Sequence, residues 1–293
     1  PYFQQAIDKD PNYALAHSGL ADTYALLSVF GADSPAALMP QAKTAALKAL
    51  ALDNNMAEAH ASLGQIMWYY DWDFAGAQRE LKRAIDLNPN YATAHQWYAE
   101  TLSSIERHDE ALAEIRRALE IEPVSVIINR VYGDLLLDAR RYDEAIAQCS
   151  KTLEMDPSFV TTHNCLGRAY QGKGMYDETI AQYMQFSGRV PLPPEELSHL
   201  KEVYVRSGWN AFLQERLKVT LERERSKKVY VSAYTIAVQY ARLSKKDEAF
   251  AWLERSFEAR DYQMTQIKVR QEFDSLRDDP QFTALLRRVG FPQ

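Results

Sequence analysis

Prolines recur in this chain at a fixed interval, and that interval constrains the fold more than any other feature. Four of them follow one another at steps of 34 residues: Pro89, Pro123, Pro157 and Pro191. Acidic pairs keep the same step, beginning at Asp109, Asp143 and Asp177, with a further pair at Asp247 about two steps later. A constant interval of this length predicts an array of structural repeats, not one globular core.

Each interval carries the pattern of two helices. In the interval after Pro157, one helical face is formed by residues at offsets of 3, 4 and 7 from the first, namely His163, Leu166, Gly167 and Tyr170. Gly174 then predicts a turn and Asp177 the start of a second helix. Pro191 blocks continuation of that helix, so the next pair begins after it.

This pattern resembles the tetratricopeptide repeat (TPR) family, whose first helix carries a large residue, Leu, Gly or Ala, and Tyr. The matching sets are His17-Leu20-Ala21-Tyr24, His60-Leu63-Gly64-Met67, His95-Tyr98-Ala99-Leu102, Asn129-Tyr132-Gly133-Leu136 and Ala233-Ile236-Ala237-Tyr240. The family's tryptophan at the first position is replaced by histidine or another residue. The resemblance covers about residues 1–261 and implies an all-α, right-handed α-solenoid of about seven antiparallel helix pairs with additional end helices.

The pattern divides the chain into five parts. They are the second helix of a truncated repeat at 1–11, five repeats at 12–191, a degenerate repeat at 192–228, a further repeat at 229–261 and a C-terminal capping segment at 262–293. The first full repeat has nine extra residues near 26–41, where Ser34 and Pro35 predict a helix start. Two helices are expected around Gly208. Because the first residues match only a second helix, we expect the natural array to continue upstream.

Three short stretches resemble the repeat arrays of multidomain bacterial regulators. They are Asp71-Trp72-Asp73-Phe74, Asn90-Tyr91-Ala92-Thr93 and Leu285-Leu286-Arg287-Arg288-Val289-Gly290. In those regulators the repeats follow a winged-helix, kinase or cyclase domain. The resemblance therefore implies an array that controls a linked domain, although no such domain is encoded in these 293 residues.

The residues that could support catalysis or metal binding have better structural explanations. Four histidines occupy one repeat position and are therefore spread along the array, without the close spacing of a zinc site: His17, His60, His95 and His163. The acidic pairs stand at helix starts, where carboxylates cap free N–H groups and favour the helix dipole. Cys149 and Cys165 are predicted to be buried thiols that pack as small apolar residues. The sequence therefore predicts a protein that is not an enzyme and that holds no metal and no cofactor.

A partner is expected on the inner side of the solenoid, which the first helices line. The residues predicted to face this groove are Gln65, Tyr69, Gln96, Glu100, Arg130, Asp134, Asn164 and Arg168. Among them Arg130, Asn164 and Arg168 could bind an acidic peptide or a C-terminal carboxylate. Ordinary solvated side chains remain the alternative. A dense aromatic group, from Trp68 to Phe74, is expected to be core with some rings available to a partner.

Charge and composition limit the kind of partner. The formal net charge is −6 with a pI near 5.6, which argues against direct nucleic-acid binding. No apolar run is long enough to cross a membrane. We therefore predict a bacterial, cytoplasmic scaffold that binds a protein or peptide, with self-association left open. The alternative is a ligand-sensing or autoregulatory array.

Overall fold

A computed structural model describes residues 2–29, 34–186 and 191–292 of the chain. All regular secondary structure in these ranges is helical. The chain forms two compact units, which we call unit 1 and unit 2. Unit 1 contains Pro1–Ile121, Ser256–Lys268 and Ala284–Gln293, and unit 2 contains Glu122–Arg255 and Val269–Thr283.

Unit 1 is built from helix pairs with short turns. Its helices are α1 (Tyr2–Lys9), α2 (Ala14–Val29), α3 (Pro35–Leu52), α4 (Ala57–Ile66), α5 (Phe74–Leu87), α6 (Ala92–Ser104) and α7 (His108–Ile121). Helix α2 packs on α3, α4 on α5 and α6 on α7, and a π-helical turn at Met67–Asp71 extends α4. Residues 30–33 of the predicted insertion lie outside the described ranges. Helix α3 begins at Pro35, directly after Ser34 in an extended conformation.

Unit 2 continues the pairing. Its helices are α8 (Val126–Asp138), α9 (Tyr142–Met155), α10 (Thr162–Gly172), α11 (Tyr176–Gln185), α12 (Pro194–Ser226), α13 (Ala233–Arg242) and α14 (Lys246–Glu258), the last three residues of α14 belonging to unit 1. Helix α12 is interrupted at Gly208, whose φ of 76° and ψ of −172° are not helical. Glycine adopts a positive φ without a Cβ clash, which explains the break at this residue.

Small residues on the first helices let the paired helices approach closely. A Cβ atom at Gly64 would lie 2.7 Å from Leu81 Cγ, and one at Gly133 would lie 2.2 Å from Cys149 Sγ. At Gly167 the nearest atom would be 3.5 Å away, an ordinary contact distance. The family position therefore requires glycine in two repeats, whereas the third has room for alanine.

The acidic pairs lie in the first turn of their helices, as the sequence predicts. Asp109 is in the first turn of α7, Asp143 in that of α9 and Asp177 in that of α11. The N-cap positions of α9 and α11 are instead held by Arg141 and Met175, whose side chains do not cap the helix. These carboxylates therefore act through the helix dipole, and not as N-caps.

Cys149 and Cys165 form a disulfide between α9 and α10, so the prediction of two thiols is wrong. Both residues are buried, as expected. Their Cα atoms lie 6.4 Å apart, within the range that a disulfide spans. A spacing of 16 residues does not reveal this proximity, which arises because α9 packs on α10 of the next repeat.

The C-terminal residues contribute to both units. A 3₁₀ turn at Tyr262–Gln266 packs in unit 1, and a second one at Gln271–Leu276 packs in unit 2. Helix α15 (Pro280–Val289) begins in unit 2 and ends in unit 1. The physical reason is that large apolar side chains of this segment become buried at intervals, including Met264, Phe273, Phe282 and Phe291.

Candidate functional site

The side chain that replaces the family's tryptophan joins the two helices of its repeat in unit 1. His60 Nδ1 lies 2.6 Å from Glu80 Oε2 on α5, and Nε2 lies 3.1 Å from the carbonyl oxygen of Asn54. The next repeat has the same arrangement at the same distances, with His95, Glu114 and the Pro89 carbonyl. Each ring therefore fixes the preceding turn and the second helix of its own repeat.

In unit 2 the same repeat position makes similar contacts, but its partners on the second helix are uncharged glutamines. Asn129 Nδ2 donates to the Pro123 carbonyl oxygen at 3.1 Å and its Oδ1 accepts from Gln148 Nε2 at 2.9 Å. His163 Nδ1 lies 2.7 Å from Gln182 Oε1. Because every partner belongs to the same repeat or to the turn before it, these contacts give the repeated position a structural role.

The groove residues predicted in unit 1 are largely engaged within the chain. Gln65 and Gln96 are buried, and Gln96 Nε2 donates to Glu100 Oε1 at 2.9 Å. The ring of Tyr69 packs against that of Tyr262, with centroids 5.1 Å apart. Tyr262 belongs to the C-terminal segment. The ring of Tyr69, which the sequence predicts to face a partner, therefore contacts another part of the same chain.

The groove residues predicted in unit 2 come together on α8 and α10. Arg130 forms an ion pair with Asp134 one turn along α8. Arg168 on α10 lies 3.5 Å from carboxylate oxygens of both Asp134 and Asp138. Asn164, one turn before Arg168, is exposed. The four predicted residues therefore share one side of two first helices, and three of them interact.

Glu272, from the C-terminal segment, inserts its carboxylate into this group. Its Oε1 atom lies 3.2 Å from Arg168 Nε and 3.2 Å from Arg242 Nη2 on α13. The neighbouring Gln271 donates from Nε2 to the backbone oxygen of Arg168 at 2.8 Å. With 5% of its side chain exposed, Glu272 is nearly inaccessible to water. Two repeats thus direct guanidinium groups at one carboxylate.

Electrostatics keep this buried group charged. Burial acts to raise the pKa of Glu272, but the charges of Arg168, Arg242 and Arg270 outweigh it and bring the pKa to about 2. Burial lowers the pKa of Arg242 to about 10, against the opposing effect of Glu272. Burial would also lower the pKa of Arg270, yet nearby acids, Asp138 first, raise it. All of these side chains are therefore ionised at neutral pH.

In unit 1 the C-terminal segment is bound by aromatic rings. Trp72 packs on Phe257 with centroids 5.0 Å apart, and Phe74 packs on Phe291 at 4.7 Å. Trp72 and Phe74 belong to the aromatic group that the sequence predicts to be mostly core, and both are buried. The contacts with Phe257 and Phe291 explain why this group contains so many aromatic rings. The rings bury a segment that lies outside the helix pairs.

Glu272, Arg242 and Arg270 are absent from the set of groove residues predicted from the sequence. The prediction followed the 34-residue register, and residues 270–272 have no position in that register. Arg242 does lie on the first helix of a predicted repeat, at its last residue. Its place on that predicted first helix was the signal that the sequence offered.

A small open cavity lies beside the buried carboxylate. An open cavity of about 240 Å³ is lined by Tyr176, Trp209, Arg242 and Glu272 among others. Pockets for small molecules commonly measure about 300–1,000 Å³. In the described ranges, no three His, Cys, Asp or Glu side chains are grouped as metal ligands. No helix described in the structure is long and apolar enough to cross a membrane.

Two tetratricopeptide repeat models match the sequence, at residues 73–127 and 102–160. The comparison with curated proteins finds no match.

Solved structures with a similar fold include three proteins of low sequence identity. PilF of Pseudomonas aeruginosa is 18% identical with a TM-score of 0.51, and the match covers 73% of this chain and 95% of PilF. PilW, a type IV pilus biogenesis factor, is 16% identical with a TM-score of 0.54 over 68% and 87% of the two chains. A monomeric mutant of IFIT1 with m7Gppp-AAAA is 16% identical with a TM-score of 0.59 over 87% and 66%. At these identities the likeness concerns the fold alone. Together, the helix pairs, their 34-residue register and the matching models identify tetratricopeptide repeats over residues 73–160 of this chain.

Proposed function

We propose that this chain is a non-catalytic protein-interaction module that binds an acidic peptide segment on the inner side of its first helices. One observation carries the proposal: Arg168 on α10 and Arg242 on α13 both lie 3.2 Å from a single carboxylate outside the helix pairs. Charge-assisted hydrogen bonds from two guanidinium groups are a common means of binding acidic peptides.

The charge of the surrounding helices favours such a ligand. Helices α8, α10 and α13 contribute three arginines and two aspartates to this group: Arg130, Arg168, Arg242, Asp134 and Asp138. The helices therefore leave an excess of one positive charge, which an acidic side chain neutralises. A neutral or basic segment would leave a buried cation without a partner, at a cost of several kcal/mol.

A non-catalytic role agrees with the state of the buried acids. Glu272 is held ionised by three arginines, with a pKa of about 2, so it is a poor proton acceptor at neutral pH. General acid–base catalysis requires a group with a pKa near the working pH. The cluster is therefore suited to recognition by charge.

A second candidate function is an autoregulatory array that controls a linked domain of the winged-helix, kinase or cyclase type. The observation that favours it is the contact of Glu272 with Arg168, because a segment of the same chain already uses the recognition surface. In this case the natural ligand would belong to the same polypeptide.

A panel of immobilised synthetic peptides tests the acidic-peptide proposal. The full chain is applied as wild type, as Arg130→Gln and as Arg117→Gln. Each arginine has one acidic partner on its own helix, Asp134 for Arg130 and Glu120 for Arg117, so the substitutions are matched. Arg117 lies on α7, a second helix, outside the proposed surface.

We expect peptides that carry several Glu or Asp residues to be retained and basic peptides to be washed away. Arg130→Gln should weaken retention several-fold, since one charge-assisted contact contributes about 1.5–3 kcal/mol at most. Arg117→Gln should retain peptides as the wild type does. Equal binding of acidic and basic peptides, or equal loss in both variants, would contradict the proposal.

A further inference from the structure

Residues 269–276 have the character of a bound peptide and not of a repeat. They lie outside the 34-residue register and include one short 3₁₀ turn, Gln271–Leu276. The turn packs against α13, and its first residue donates to the backbone oxygen of Arg168 on α10. Asp274 adds an ion pair with Arg140 at 2.7 Å, in the turn that follows α8. The segment therefore contacts the first helices α10 and α13 and the turn after α8.

Its docking depends on charge at its centre. The carboxylate of Glu272 is the acidic partner that both Arg168 and Arg242 share. A buried ion cluster adds little net stability, because desolvation offsets the attraction between the charges. It discriminates between ligands, however, since a segment without the carboxylate removes the ion pair of the buried Arg242. Contacts of this kind therefore determine which sequence binds, and they contribute little to the stability of a core.

The segment also retains signs of incomplete fit. Glu272 Oε2, Gln271 Oε1 and Arg242 Nε are buried without a hydrogen-bond partner in the described structure. Each unsatisfied buried polar atom costs about 1–3 kcal/mol. Release of the segment into water would recover the cost of these atoms.

We propose that residues 269–276 are an intramolecular ligand, which occupies the acidic-peptide site of unit 2 and must be displaced by an external partner that presents its own carboxylate between Arg168 and Arg242. This inference rests on the proposed function and adds the regulation of the same site. A tethered segment has an effective concentration on the order of millimolar, so a weak external peptide does not compete with it. Partners are thereby restricted to those that bind tightly or carry several acidic residues.

The competing explanation is that the segment is ordinary core. Phe273 and Leu276 are fully buried, which favours that view. The two explanations differ in one property, the free energy needed to expose the segment alone. A ligand-like segment opens before the helices unfold, whereas a core segment opens only with them.

Competition by a peptide in trans tests the proposal. The probe is a fluorescent peptide with the sequence Ile267–Leu276, and its control carries glutamine in place of Glu272. Each is titrated by fluorescence anisotropy into the full chain as wild type, as Glu272→Gln and as Glu258→Gln. Glu258 is exposed at the end of α14, so it matches the chemical change without touching the cluster.

We expect the probe to bind Glu272→Gln at least about ten-fold more tightly than it binds the wild type or Glu258→Gln, because the weakened internal segment competes less. The control peptide should bind none of them comparably. Equal affinity for all three proteins would overturn the internal competition and leave acidic-peptide binding intact. If the probe does not bind Glu272→Gln, the segment does not exchange with an external peptide and this inference is overturned. The panel of immobilised peptides would still test the proposed function.

Hydrogen exchange of the wild-type chain keeps the proposal testable if Glu272→Gln does not fold. Amides of residues 270–276 should exchange at least about ten-fold faster than protected amides in α8 and α10, which indicates local opening. Exchange of the segment at the rate of those helices would show that it opens only on global unfolding. That result would overturn the proposal irrespective of any variant.

Discussion

Units 1 and 2 bind parts of the same C-terminal segment by different chemistry. In unit 1 the buried contacts are between aromatic rings, such as Trp72 with Phe257 and Phe74 with Phe291, and a partly exposed ion pair joins Lys268 to Glu106. In unit 2 the central contact is between Glu272 and the arginines of α10 and α13. Apolar burial is non-directional and tolerant, whereas a buried charge demands an opposite charge. Unit 1 is therefore suited to anchoring the segment and unit 2 to recognising it.

Removing a cation should produce the largest effect and would test the ionic half of this comparison. Arg168→Met leaves the buried carboxylates of Glu272 and Asp138 without a shared partner. We expect a loss of about 3–5 kcal/mol in the free energy of unfolding, measured by urea denaturation. Arg117→Met, an exposed control, should change it by less than about 0.5 kcal/mol. A loss below about 1 kcal/mol at Arg168 would mean that the cluster is solvated.

Removing a ring tests the apolar half. Phe291→Ala deletes a buried side chain that packs on Phe74, and we expect a loss of about 3 kcal/mol. Because no charge is involved, the loss should be the same at low and high salt in urea denaturation. Tyr2→Ala, which removes an 83% exposed ring, serves as the control. A strong salt dependence of the Phe291→Ala effect would contradict the division between the two units.

Helix pairing also differs between repeats, and one added methyl group is expected to have opposite effects at Gly64 and at Gly167. In unit 1, Gly64→Ala places a Cβ 2.7 Å from Leu81 Cγ and 3.2 Å from the Ala77 backbone oxygen, so we expect a loss of about 1–3 kcal/mol. In unit 2, Gly167→Ala meets nothing closer than 3.5 Å and should stabilise by up to about 1 kcal/mol. The melting temperatures of both variants, measured by thermal unfolding, test these two expectations. A loss at Gly167 similar to that at Gly64 would exclude the looser pairing.

A buried acid in unit 1 provides the smallest expected effect. Asp22 accepts a hydrogen bond from Ser62 at 2.5 Å, and burial raises its pKa to about 6. Its contribution to stability is present below the unfolded pKa of about 3.8 and is lost as the pH rises through 6. Asp22→Asn should therefore stabilise by on the order of 1–2 kcal/mol at pH 7.5, and have little effect at pH 4. A melting temperature unchanged at pH 7.5 would contradict this, and Asp278→Asn is the exposed control.

Local features of the fold were predictable because the repeat pattern is local. The spacing from His163 to Tyr170 fixes a helical face within two turns, and Gly174 fixes the turn that follows. The family position also identified Gly133 and Gly167, but not their different environments. Sequence analysis could not distinguish them, since the available space depends on which side chain of the second helix lies opposite.

The candidate site was predictable only in part, for the same reason. Arg168 was expected on the inner side from its register, and it lies 3.5 Å from Asp134, another residue of the predicted groove. Glu272, its acidic partner, is 104 residues further along the chain and follows no period. The disulfide between Cys149 and Cys165 likewise depends on the packing of neighbouring repeats.

The sequence by itself determined the 34-residue helix pairs, the small residues between them and the family to which they belong. These depend on interactions within a repeat or with the next one, which a periodic pattern records directly. Only the tertiary structure decided what covers the inner side of the first helices. A non-repetitive segment carries no register, so its position follows from the burial of Phe273 and Phe291 and from the charge of Glu272 against distant arginines.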